Sequence, residues 1–573
     1  MAEKNPLPLS RAFGLVVGEQ ATYFWTAIIF SVVISLLTLA VPVAVQLLID
    51  SVANLGTVTP IVILSFVLLG VLAAQGSLVA AQNYVLEMFE RRFLARTAQE
   101  VTLRTAYAES MAFESQNRED LYNRFFDIEA VKSTIPVLVS SGLNLVFQAL
   151  VGYVVVSFYH PYFLWVSVVH AILIVAIWQS VDRPAVRSVI DMSTAKFRMG
   201  NWLESMAIKH RIFKSEAGIR WAIDRSDELT EDYIDAHRRH FHCTFTQTIS
   251  YQVLMAVGSA LLLGIGGWLV VVGQLTVGQL VAAELILGTI FLNMGAFPTV
   301  LESWYSMRAG LDKLSQLHRV PLEDVETQGK RDDWEASVVL DDVTVHYRLH
   351  DVRLDVEFPA GSTSLVAPES ASHVEVLCNL LLRVQTPTPG RVLLGGRDAE
   401  VFDIHHLRED VVIVGDTRLF ECTVAQFLRL ANPTLTHGQM REVLDVVGLD
   451  ELIESLEDGL ETVLTPQGHP LTTSEILRLK IAHALALEPR VVVFTMTCDL
   501  MRLERRERIL AHLRTLPDTT FIYLSNRLDL EGFDRYLRIG SSYTEEYDSL
   551  EALVRAERAG RTYAAPIRRS PEP

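Results

Sequence analysis

Six long apolar stretches in the first half of the chain constrain its fold more than any other feature of the sequence. They cover residues 23–48, 60–85, 134–158, 162–179, 246–272 and 275–297. Each is close to the length of about 20 residues that a helix needs to cross the hydrocarbon core of a bilayer. Because backbone polar groups in lipid must be hydrogen-bonded internally, the stretches predict six transmembrane helices.

The connections between these stretches differ in basic content, and the difference predicts how the chain is oriented in the membrane. The short connections near Asn54, His160 and Gly273 contain no Lys or Arg, whereas the two long connections, 86–133 and 180–245, contain many. By the positive-inside rule, both long loops and both termini are expected in the cytoplasm. The long loops contain few helix breakers, so we expect the flanking helices to continue into them.

Charge and residue spacing argue against nucleic-acid binding, a disulfide framework and a metal site. The chain has 573 residues, half of them hydrophobic, and a formal net charge of −18. An acidic chain without a basic patch is not expected to bind nucleic acid. Its four cysteines have no C-x-x-C spacing, and the His405–His406 pair has no Cys or Glu at metal spacing. The sequence therefore predicts neither a disulfide framework nor a metal site.

Residues 361–381, GSTSLVAPESASHVEVLCNLL, have the strand–loop–helix layout of a P-loop without its chemistry. A P-loop needs glycines to bring backbone N–H groups around phosphate, a Lys for the outer phosphates and a hydroxyl for Mg²⁺. His373 stands at the lysine position and Val374 at the hydroxyl position. Imidazole is mostly neutral at cytoplasmic pH, so it is a poor substitute for lysine. As a simpler alternative, we expect His373 to be a surface residue at the start of a helix. The glycine positions hold Ala367, Ser370 and Ser372.

Six spans, two long basic loops and a P-loop-like segment resemble the half-transporters of ABC exporters. In the membrane half, residues 113–135 and 206–216 resemble the two coupling loops, and 273–282 resembles the join between the last two spans. The resemblance covers roughly residues 20–545. It implies a multi-domain fold in which an all-α six-helix transmembrane domain is followed by an α/β P-loop NTPase-like (ABC) domain.

The resemblance also predicts how the chain divides. The expected parts are a cytoplasmic N-terminus (1–19), a transmembrane domain (20–318) containing the two coupling loops (86–133 and 180–245), a linker (319–335), a degenerate ABC nucleotide-binding domain (336–545) and a C-terminal tail (546–573).

Within the second half, the resemblance assigns positions to further nucleotide-site motifs. Residues 471–475, LTTSE, replace the LSGGQ signature and lack both glycines. Tyr347 stands at the aromatic residue that stacks on adenine, although a lone aromatic residue in a strand is more often a packing residue. Either Gly415 or Asp416 lies near the Q-loop glutamine.

Three further catalytic positions are altered. Thr495 stands at the Walker B aspartate that holds Mg²⁺, Met496 at the glutamate that polarises water, and Asn526 at the switch histidine. Phosphoryl transfer depends on positioning and on electrostatic stabilisation of the charged oxygens, and these side chains offer neither a carboxylate nor a base. The sequence thus predicts no catalytic residue and no hydrolysis at this chain's own Walker site. Any binding of ATP and Mg²⁺ is expected to be weak or to occur through a partner subunit.

Two functions from different classes remain open. The first is a membrane subunit of an ABC exporter, in a bacterial-type inner or plasma membrane, that dimerises with an ATP-competent ABC subunit. The second is an ATP-independent membrane scaffold or regulator that uses the same fold. The resemblance implies a dimer, with another ABC subunit or with a second copy of the chain. An ATPase of unrecognised chemistry is the weakest alternative, and the sequence does not identify a transported substrate.

Polar residues inside the predicted spans are candidates for a transport pathway. Glu284 lies in the sixth stretch and His170 in the fourth. An ionisable side chain at this depth is costly and indicates a cavity, a partner or a substrate path. A structural hydrogen bond between helices is the alternative interpretation. Weaker candidates of the same kind are Asn144, Gln148 and Asn293.

Overall fold

The computed structural model describes residues 18, 21–54, 58–109, 125–318, 320–323, 333–348, 350–540 and 543–562. The chain forms two compact units, Met1–Leu322 and Glu323–Pro573, which are described separately below. Most of the predicted N-terminus 1–19, the tip of the first coupling loop at 113–124, most of the linker 319–335 and the end of the tail at 563–573 lie outside the described residues.

The first unit is helical. Its described helices are α1 (Ala21–Leu37), α2 (Ala40–Asn54), α3 (Thr59–Ala106), α4 (Phe125–Val137), α5 (Asn144–Ser157), α6 (Pro161–Ile208), α7 (Glu216–Val271), α8 (Val277–Met294) and α9 (Phe297–His318). A π-helical turn, Leu138–Leu143, joins α4 to α5 and follows Pro136, which has no N–H to donate to the helix.

Six described helical segments are long and apolar enough to cross a membrane, as the sequence predicts. They are Ala21–Ser51, Ile61–Ala106, Val131–Ser157, Pro161–Ile208, Glu216–Val271 and Val277–Met294. The helices α3, α6 and α7 contain 48, 48 and 56 residues. At 1.5 Å per residue they are about 70–85 Å long, more than twice the thickness of the hydrocarbon core. The prediction that the spans continue as helices into the long loops is therefore confirmed for the described residues.

Side-chain caps set where several of these helices begin. The ring of His160 accepts a hydrogen bond from the N–H of Tyr162 at 3.2 Å, immediately before α6. Ser215 caps α7 in the same way, and Thr276 begins α8 as part of a capping box. Each cap satisfies an N–H group that has no partner within its helix.

Glycines allow close contact between helices within this unit. A Cβ atom at Gly152 of α5 would lie 2.7 Å from Ile290 and 2.8 Å from Ile286 of α8. A Cβ atom at Gly266 of α7 would be even closer to Leu280 of α8. Small residues at such contacts let helices pack closely in a membrane, where burial of apolar surface does not drive association.

The second unit contains two larger sheets with helices packed against them. Its strands are β1 (Val338–Tyr347), β2 (His350–Phe358), β3 (Thr363–Pro368), β4 (Arg391–Leu394), β5 (Arg397–Asp398), β6 (Val411–Val414), β7 (Cys422–Thr423), β8 (Val463–Leu464), β9 (Val491–Phe494), β10 (Thr520–Leu524), β11 (Arg535–Gly540) and β12 (Tyr543–Tyr547). The four-stranded antiparallel sheet has the order β2-β1-β4-β5, and the six-stranded sheet has the order β12-β11-β3-β10-β9-β6. In the larger sheet, β11, β3, β10, β9 and β6 run parallel, and β12 is antiparallel at one edge. Every residue of β3, β9 and β10 is buried, as expected for strands covered on both faces.

The helices of this unit are α10 (Ala371–Leu381), α11 (Ile404–Asp410), α12 (Val424–Arg429), α13 (His437–Val446), α14 (Asp450–Ser455), α15 (Thr473–Ala486), α16 (Leu503–Leu513) and α17 (Leu550–Thr562). The predicted fold class, a six-span helical domain followed by an α/β domain, is confirmed.

Candidate functional site

The candidate nucleotide site lies at the carboxyl edge of the six-stranded sheet. Parallel α/β sheets bind ligands at this edge, beyond the ends of their strands. The connection from β3 to α10 starts there, Gly415 follows β6, Thr495 follows β9, and Asn526 lies two residues after β10. The fold thus brings the predicted P-loop, Q-loop, Walker B and switch positions to one edge.

The connection between β3 and α10 does not form a phosphate cradle. Only Glu369 and Ser370 separate the strand from the helix. The N–H of Glu369 donates to the carbonyl oxygen of Ile539 at 2.8 Å, which extends the pairing of β3 with β11. Ser370 is extended, with φ of −147°. Across 362–374, all of which are described, no residue has the left-handed φ that helps successive N–H groups converge on an anion.

His373 is buried rather than exposed, so the expectation of a surface position is wrong. Its side chain is only 3% exposed, and its Nδ1 lies 2.8 Å from the hydroxyl of Ser370. It shares a face of α10 with Leu377 and Leu380, which are four and seven residues further on and are buried in the core. Val374, at the predicted hydroxyl position, is also buried. Both side chains therefore contribute to packing of α10.

Thr495 and Gly415 contact each other at the ends of β9 and β6. The N–H of Thr495 donates to the carbonyl oxygen of Val414 at 2.9 Å, and a Cβ atom at position 415 would overlap the threonine side chain. The sequence left open whether Gly415 or Asp416 stands at the glutamine position. Gly415 is the residue that adjoins the Walker B position, and it has no side chain to reach a ligand.

Asp416 is exposed and pairs locally. Its carboxylate accepts hydrogen bonds from the N–H of Arg418 at 3.0 Å and from the guanidinium at 3.2 Å. Burial would raise the pKa of Asp416, but these bonds and the charges of Lys480 and Arg418 outweigh it, so the pKa lies below its ordinary value. Asp416 therefore stays ionised and pairs with Arg418 in the same loop.

Met496 and Asn526 lie together at the next position along the edge. The amide nitrogen of Asn526 lies 2.8 Å from the sulfur of Met496. A thioether is a weak acceptor, and neither side chain can take up or release a proton near neutral pH. The structure thus joins two of the predicted positions in a contact that offers no acid or base.

Asp499 is a site residue that the sequence patterns do not reveal. It is 9% exposed and accepts hydrogen bonds from the hydroxyls of Tyr523 at 2.8 Å and Ser525 at 2.9 Å. The N–H of Asn526 also donates to it, at 3.2 Å. Arg506 lies 3.7 Å away and forms a bidentate pair with Asp529 at 2.8 and 2.7 Å. This network fixes the turn after β9 to the end of β10 by hydrogen bonds to a buried carboxylate.

At the signature position, α15 begins with its own carboxylate cap. The N–H of Thr472 donates to Glu475 at 2.7 Å, and the same carboxylate lies 3.6 Å from Arg478. A carboxylate in the first turn already compensates the positive end of the helix dipole. Thr473 and Ser474 stand in place of the signature glycines. We therefore expect this helix end to be less suited to binding phosphate than one that carries both glycines.

Tyr347 is placed as a packing residue. It is 3% exposed at the end of β1, within the core of the smaller sheet, and burial together with Glu375 raises its pKa to about 12. The guanidinium of Arg348 lies 5.1 Å from the centre of its ring. This environment favours packing over stacking on adenine, and the weak assignment as a cofactor-binding residue stays a prediction.

His170 and Glu284 lie in the membrane-spanning part of the first unit. His170 is 3% exposed on α6, and its ring stacks on Phe291 of α8 at 4.7 Å and 8°. Gly258 of α7 packs against this pair of rings, since a Cβ atom at Gly258 would lie 3.2 Å from the imidazole. Glu284 lies seven residues before Phe291, about two turns away on the same face of α8. Its Oε2 is buried without a hydrogen-bond partner among the described residues.

The weaker candidates form hydrogen bonds between helices. Asn293 donates to Gln148 at 3.1 Å, and Asn144 donates to Gln82 at 3.4 Å. These contacts join α8 to α5 and α5 to α3, as expected for polar residues that stabilise helix packing.

Comparison with known proteins supports the observed architecture. Residues 24–294 match the model of the ABC transporter transmembrane region. The leukotoxin export ATP-binding protein LtxB of Aggregatibacter actinomycetemcomitans is 22% identical over 335 residues, which are 56% of this chain and 47% of that protein. The exotoxin translocation ATP-binding protein PaxB of Pasteurella aerogenes is 23% identical over 313 residues, 53% of this chain and 43% of that protein. The chain thus spans less than half the length of these two relatives.

Two further similarities extend over most of the chain. The alpha-hemolysin translocation ATP-binding protein HlyB of Escherichia coli O157:H7 is 20% identical over 564 residues, which are 94% of this chain and 80% of that protein. A solved structure of a bacterial Atm1-family ABC exporter with ATP bound superposes with a TM-score of 0.82 and 19% identity, covering 95% of this chain and 99% of that one. The overall fold is therefore that of an ABC exporter.

Proposed function

We propose that this membrane protein, whose residues 24–294 form an ABC transporter transmembrane region on an exporter fold, is the non-hydrolysing half of an ABC exporter. Its partner would be a second ABC subunit that binds and hydrolyses ATP. This chain would contribute half of the transmembrane pathway and an ABC-type domain that does not turn over nucleotide.

The β3–α10 connection is the observation that carries the proposal. In a P-loop, backbone N–H groups must point at the phosphates. In this chain the N–H of Glu369 is bonded to Ile539, and α10 begins at Ala371. The residue at the lysine position, His373, is buried against the sheet. The described residues at this edge therefore do not fit Mg-ATP.

The start of α15, at the signature position, gives a second reason to expect a partner with intact motifs. ABC domains, by resemblance, form composite sites from the P-loop of one subunit and the signature of the other. Glu475 places a carboxylate where the partner's nucleotide would bring its phosphates, and like charges repel. We infer that a homodimer would contain two sites unable to hydrolyse ATP, whereas a heterodimer would retain an intact P-loop and signature in the other subunit.

The alternative of an ATP-independent scaffold or regulator is favoured by one specific observation. Both contributions to a composite site, the β3–α10 connection and the start of α15, are altered in the same chain. Each site of a heterodimer would then lack one contribution, so coupling to ATP would be weak. The presence or absence of an ATP-competent partner separates the two functions.

Purification of the full chain from its native membranes tests the proposal. We expect an ABC subunit with an intact P-loop to co-purify, and we expect the complex, but not the chain alone, to hydrolyse Mg-ATP above background. The partner's Walker B glutamate changed to Gln is the control that assigns turnover to the partner. Hydrolysis by the purified chain alone would contradict the proposal, and a chain recovered without any ABC subunit would favour the scaffold.

We further propose Glu284 and His170 as residues beside the transport pathway. A buried carboxylate oxygen without a partner among the described residues is costly at membrane depth, which supports a role beyond packing. Glu284→Gln is expected to impair complementation of a strain lacking the chain, at matched membrane abundance. Normal complementation by both Glu284→Gln and Glu284→Ala would remove Glu284 from the pathway.

A further inference from the structure

Three arginine side chains of the second unit come together beside the turn that ends α13. The guanidinium of Arg478, on α15, donates to the carbonyl oxygens of Gly448 at 2.7 Å and Val447 at 3.4 Å. The guanidinium of Arg505, at the start of α16, packs on the same glycine, since a Cβ atom at Gly448 would overlap it. Arg502 lies three residues before Arg505, on the same side of the helix. The cluster thus joins three segments that are distant in sequence.

The positive charge of this cluster is only partly balanced. Among the described residues, Glu475 is the carboxylate that pairs with it, at 3.6 Å from Arg478. The side chains of Arg502 and Arg505 form no hydrogen bond or ion pair with any described residue. Three guanidinium groups and one carboxylate therefore leave a net charge of +2.

Burial makes this arrangement costly at Arg478. Its side chain is 11% exposed, and its Nε is buried without a hydrogen-bond partner among the described residues. Burial lowers the pKa of Arg478, and the charges of Arg505 and Arg502 lower it further, although Glu475 opposes them. A buried donor without an acceptor and cations held close together are both unfavourable. An anion placed among the three side chains would remove both costs.

The backbone adds positive potential at the same place. The 11-residue helix α16 begins after Arg502 without a side-chain cap. Its first N–H groups have no partner within the helix, and this end carries the positive pole of the helix dipole. Glu504, in the first turn, and Glu507 are exposed and form no ion pair with a described residue. Their spacing places both carboxylates away from the side that Arg502 and Arg505 share.

We propose that Arg478, Arg502 and Arg505 form a binding site for a phosphate group, either free phosphate or a phosphomonoester. The planar fork of a guanidinium matches the spacing of phosphate oxygens. A phosphate carries up to two negative charges near neutral pH, which balances the net charge of the cluster. The bound anion would link α15, α16 and the end of α13 without a change of fold, because the donors are already in place.

Two other ligands fit the cluster less well. A carboxylate brings one negative charge and two oxygens, so a single acidic side chain leaves part of the charge unbalanced. A nucleotide brings a base as well as phosphate, and none of the three side chains, nor Gly448 and Val447 beside them, is aromatic and able to stack on it. The site is also separate from the carboxyl edge of the six-stranded sheet, so it goes beyond the proposed function.

Hydrogen exchange of the full chain in detergent, followed by mass spectrometry of its peptides, tests the proposal. Inorganic phosphate is compared with chloride at equal ionic strength. We expect exchange to slow in peptides that cover 446–449 and 502–506, with a response that saturates. At a phosphate concentration ten times the Kd the slowing should reach about tenfold, because binding reduces opening by the factor 1 + [L]/Kd. The start of α13, which Thr436 caps, is the internal reference and should not change.

A matched pair of substitutions on α16 separates the cluster from the rest of the helix surface. Arg508 lies three residues after Arg505 but pairs with Asp445 at 3.1 Å. We expect Arg505→Gln to abolish the phosphate-dependent slowing and Arg508→Gln to retain it. Arg505→Lys keeps the charge without the fork, so it serves if Arg505→Gln fails to fold, and we expect it to raise the Kd for phosphate by about tenfold, the effect of one charge-assisted hydrogen bond.

A second probe distinguishes the two sources of the phosphate group. O-phosphoserine carries the group as a monoester, and serine at the same concentration is its control. Equal slowing by phosphoserine and inorganic phosphate would assign the site to a phosphomonoester or free phosphate alike. A response to inorganic phosphate alone would assign it to the free anion.

Four outcomes would overturn the proposal. They are no effect of phosphate on wild-type protein, an equal effect on wild type and Arg505→Gln, an equal loss in Arg508→Gln, and uniform slowing of all peptides, which is the general effect of a stabilising salt. Slowing of the same peptides in a complex with a partner subunit, without phosphate, would show that an acidic segment of the partner occupies the cluster instead. The test on the chain alone needs no ATPase subunit, so its failure leaves the proposed function standing.

Discussion

At the residue scale, several positions that the sequence assigns to a nucleotide site contact one another or a neighbour in the chain. Thr495 packs on Gly415, Met496 contacts Asn526, and Glu475 accepts from Thr472. Each contact uses a position that the sequence assigns to magnesium, water or phosphate. The substitutions therefore form a consistent set, because each altered residue has a structural partner.

Lysine at position 373 is expected to destabilise the protein without restoring catalysis. His373→Lys would bury an ammonium group at a position that is 3% exposed, and the N–H of Glu369 would still donate to Ile539. We expect a loss in the free energy of unfolding of about 2 kcal/mol or more and no Mg-ATP hydrolysis. Thermal unfolding and ATPase assays of the full chain measure both effects.

The matched control for this change is Ala371→Lys, on the exposed side of the same helical turn. A lysine there is expected to alter stability by less than about 1 kcal/mol. Clear ATP turnover by His373→Lys would show that the P-loop positions are wrongly assigned.

The contact between Gly415 and Thr495 predicts a pair of compensating substitutions. Gly415→Ala places a methyl group against the threonine side chain and is expected to cost about 1–3 kcal/mol of stability. Adding Thr495→Gly should recover part of that loss, because it removes the overlapping atoms. Chemical denaturation of the full chain gives the values.

Gly438→Ala in α13 is the control, since the nearest atom to a Cβ there is 4.0 Å away. If Gly415→Ala is as stable as this control, the two strand ends do not make the close contact inferred here.

Sequence patterns assigned motif positions at this scale, and that assignment stays a prediction; they did not predict what surrounds those positions. The motif register located His373, yet its burial depends on which face of α10 meets the sheet, and that follows from Leu377 and Leu380. The Asp499 network was missed because its partners lie 24 and 26 residues away: Tyr523 is in β10, and Ser525 follows the end of that strand. Contacts between distant segments leave no periodic signal in the sequence.

At the scale of helices and strands, the length and apolar pattern of each segment predicted more of the secondary structure than the motifs did. The six stretches correspond to six candidate spans, because about 20 apolar residues have few structural alternatives. The π-helical turn at Leu138–Leu143 was not predicted, although Pro136 just before it is a cue that the regular hydrogen bonding is interrupted. The finer domain limits given by the sequence stay a prediction.

Close packing of α5 on α8 predicts a strong effect of one substitution. Gly152→Leu would place a side chain where Cβ alone lies 2.7 Å from Ile290, so the two helices would have to separate. We expect a loss of about 1–3 kcal/mol in stability, measured as a lower midpoint of thermal unfolding in detergent.

Gly76→Leu on α3 is the matched control, because nothing lies within 4 Å of a Cβ atom there among the described residues. Equal unfolding midpoints for the two variants would contradict the close contact between α5 and α8.

At the scale of the whole molecule, the charge asymmetry of the loops predicts the orientation in the membrane. A cysteine placed at Gly273 should react with an impermeant maleimide in intact cells, whereas one placed at Arg211 should react only after permeabilisation. Both positions are exposed, so burial does not limit labelling. The wild-type chain is the control, because its four native cysteines are all expected in the cytoplasmic parts.

Labelling at Arg211 in intact cells, or protection at Gly273, would show that the predicted topology is inverted. Both units would keep their folds, but the ABC-type domain would then face the compartment opposite to that of an ATP-competent partner.

The two-residue connection between β3 and α10 has a thermodynamic consequence for the living cell. A ligand that binds only the folded state adds stability in proportion to the logarithm of its concentration. Because the N–H of Glu369 at this edge bonds to the carbonyl oxygen of Ile539, without phosphate, we expect that linkage to be absent here. The second unit would keep one shape in a starved cell and in a growing one, as a fixed structural component rather than a sensor of cellular energy charge.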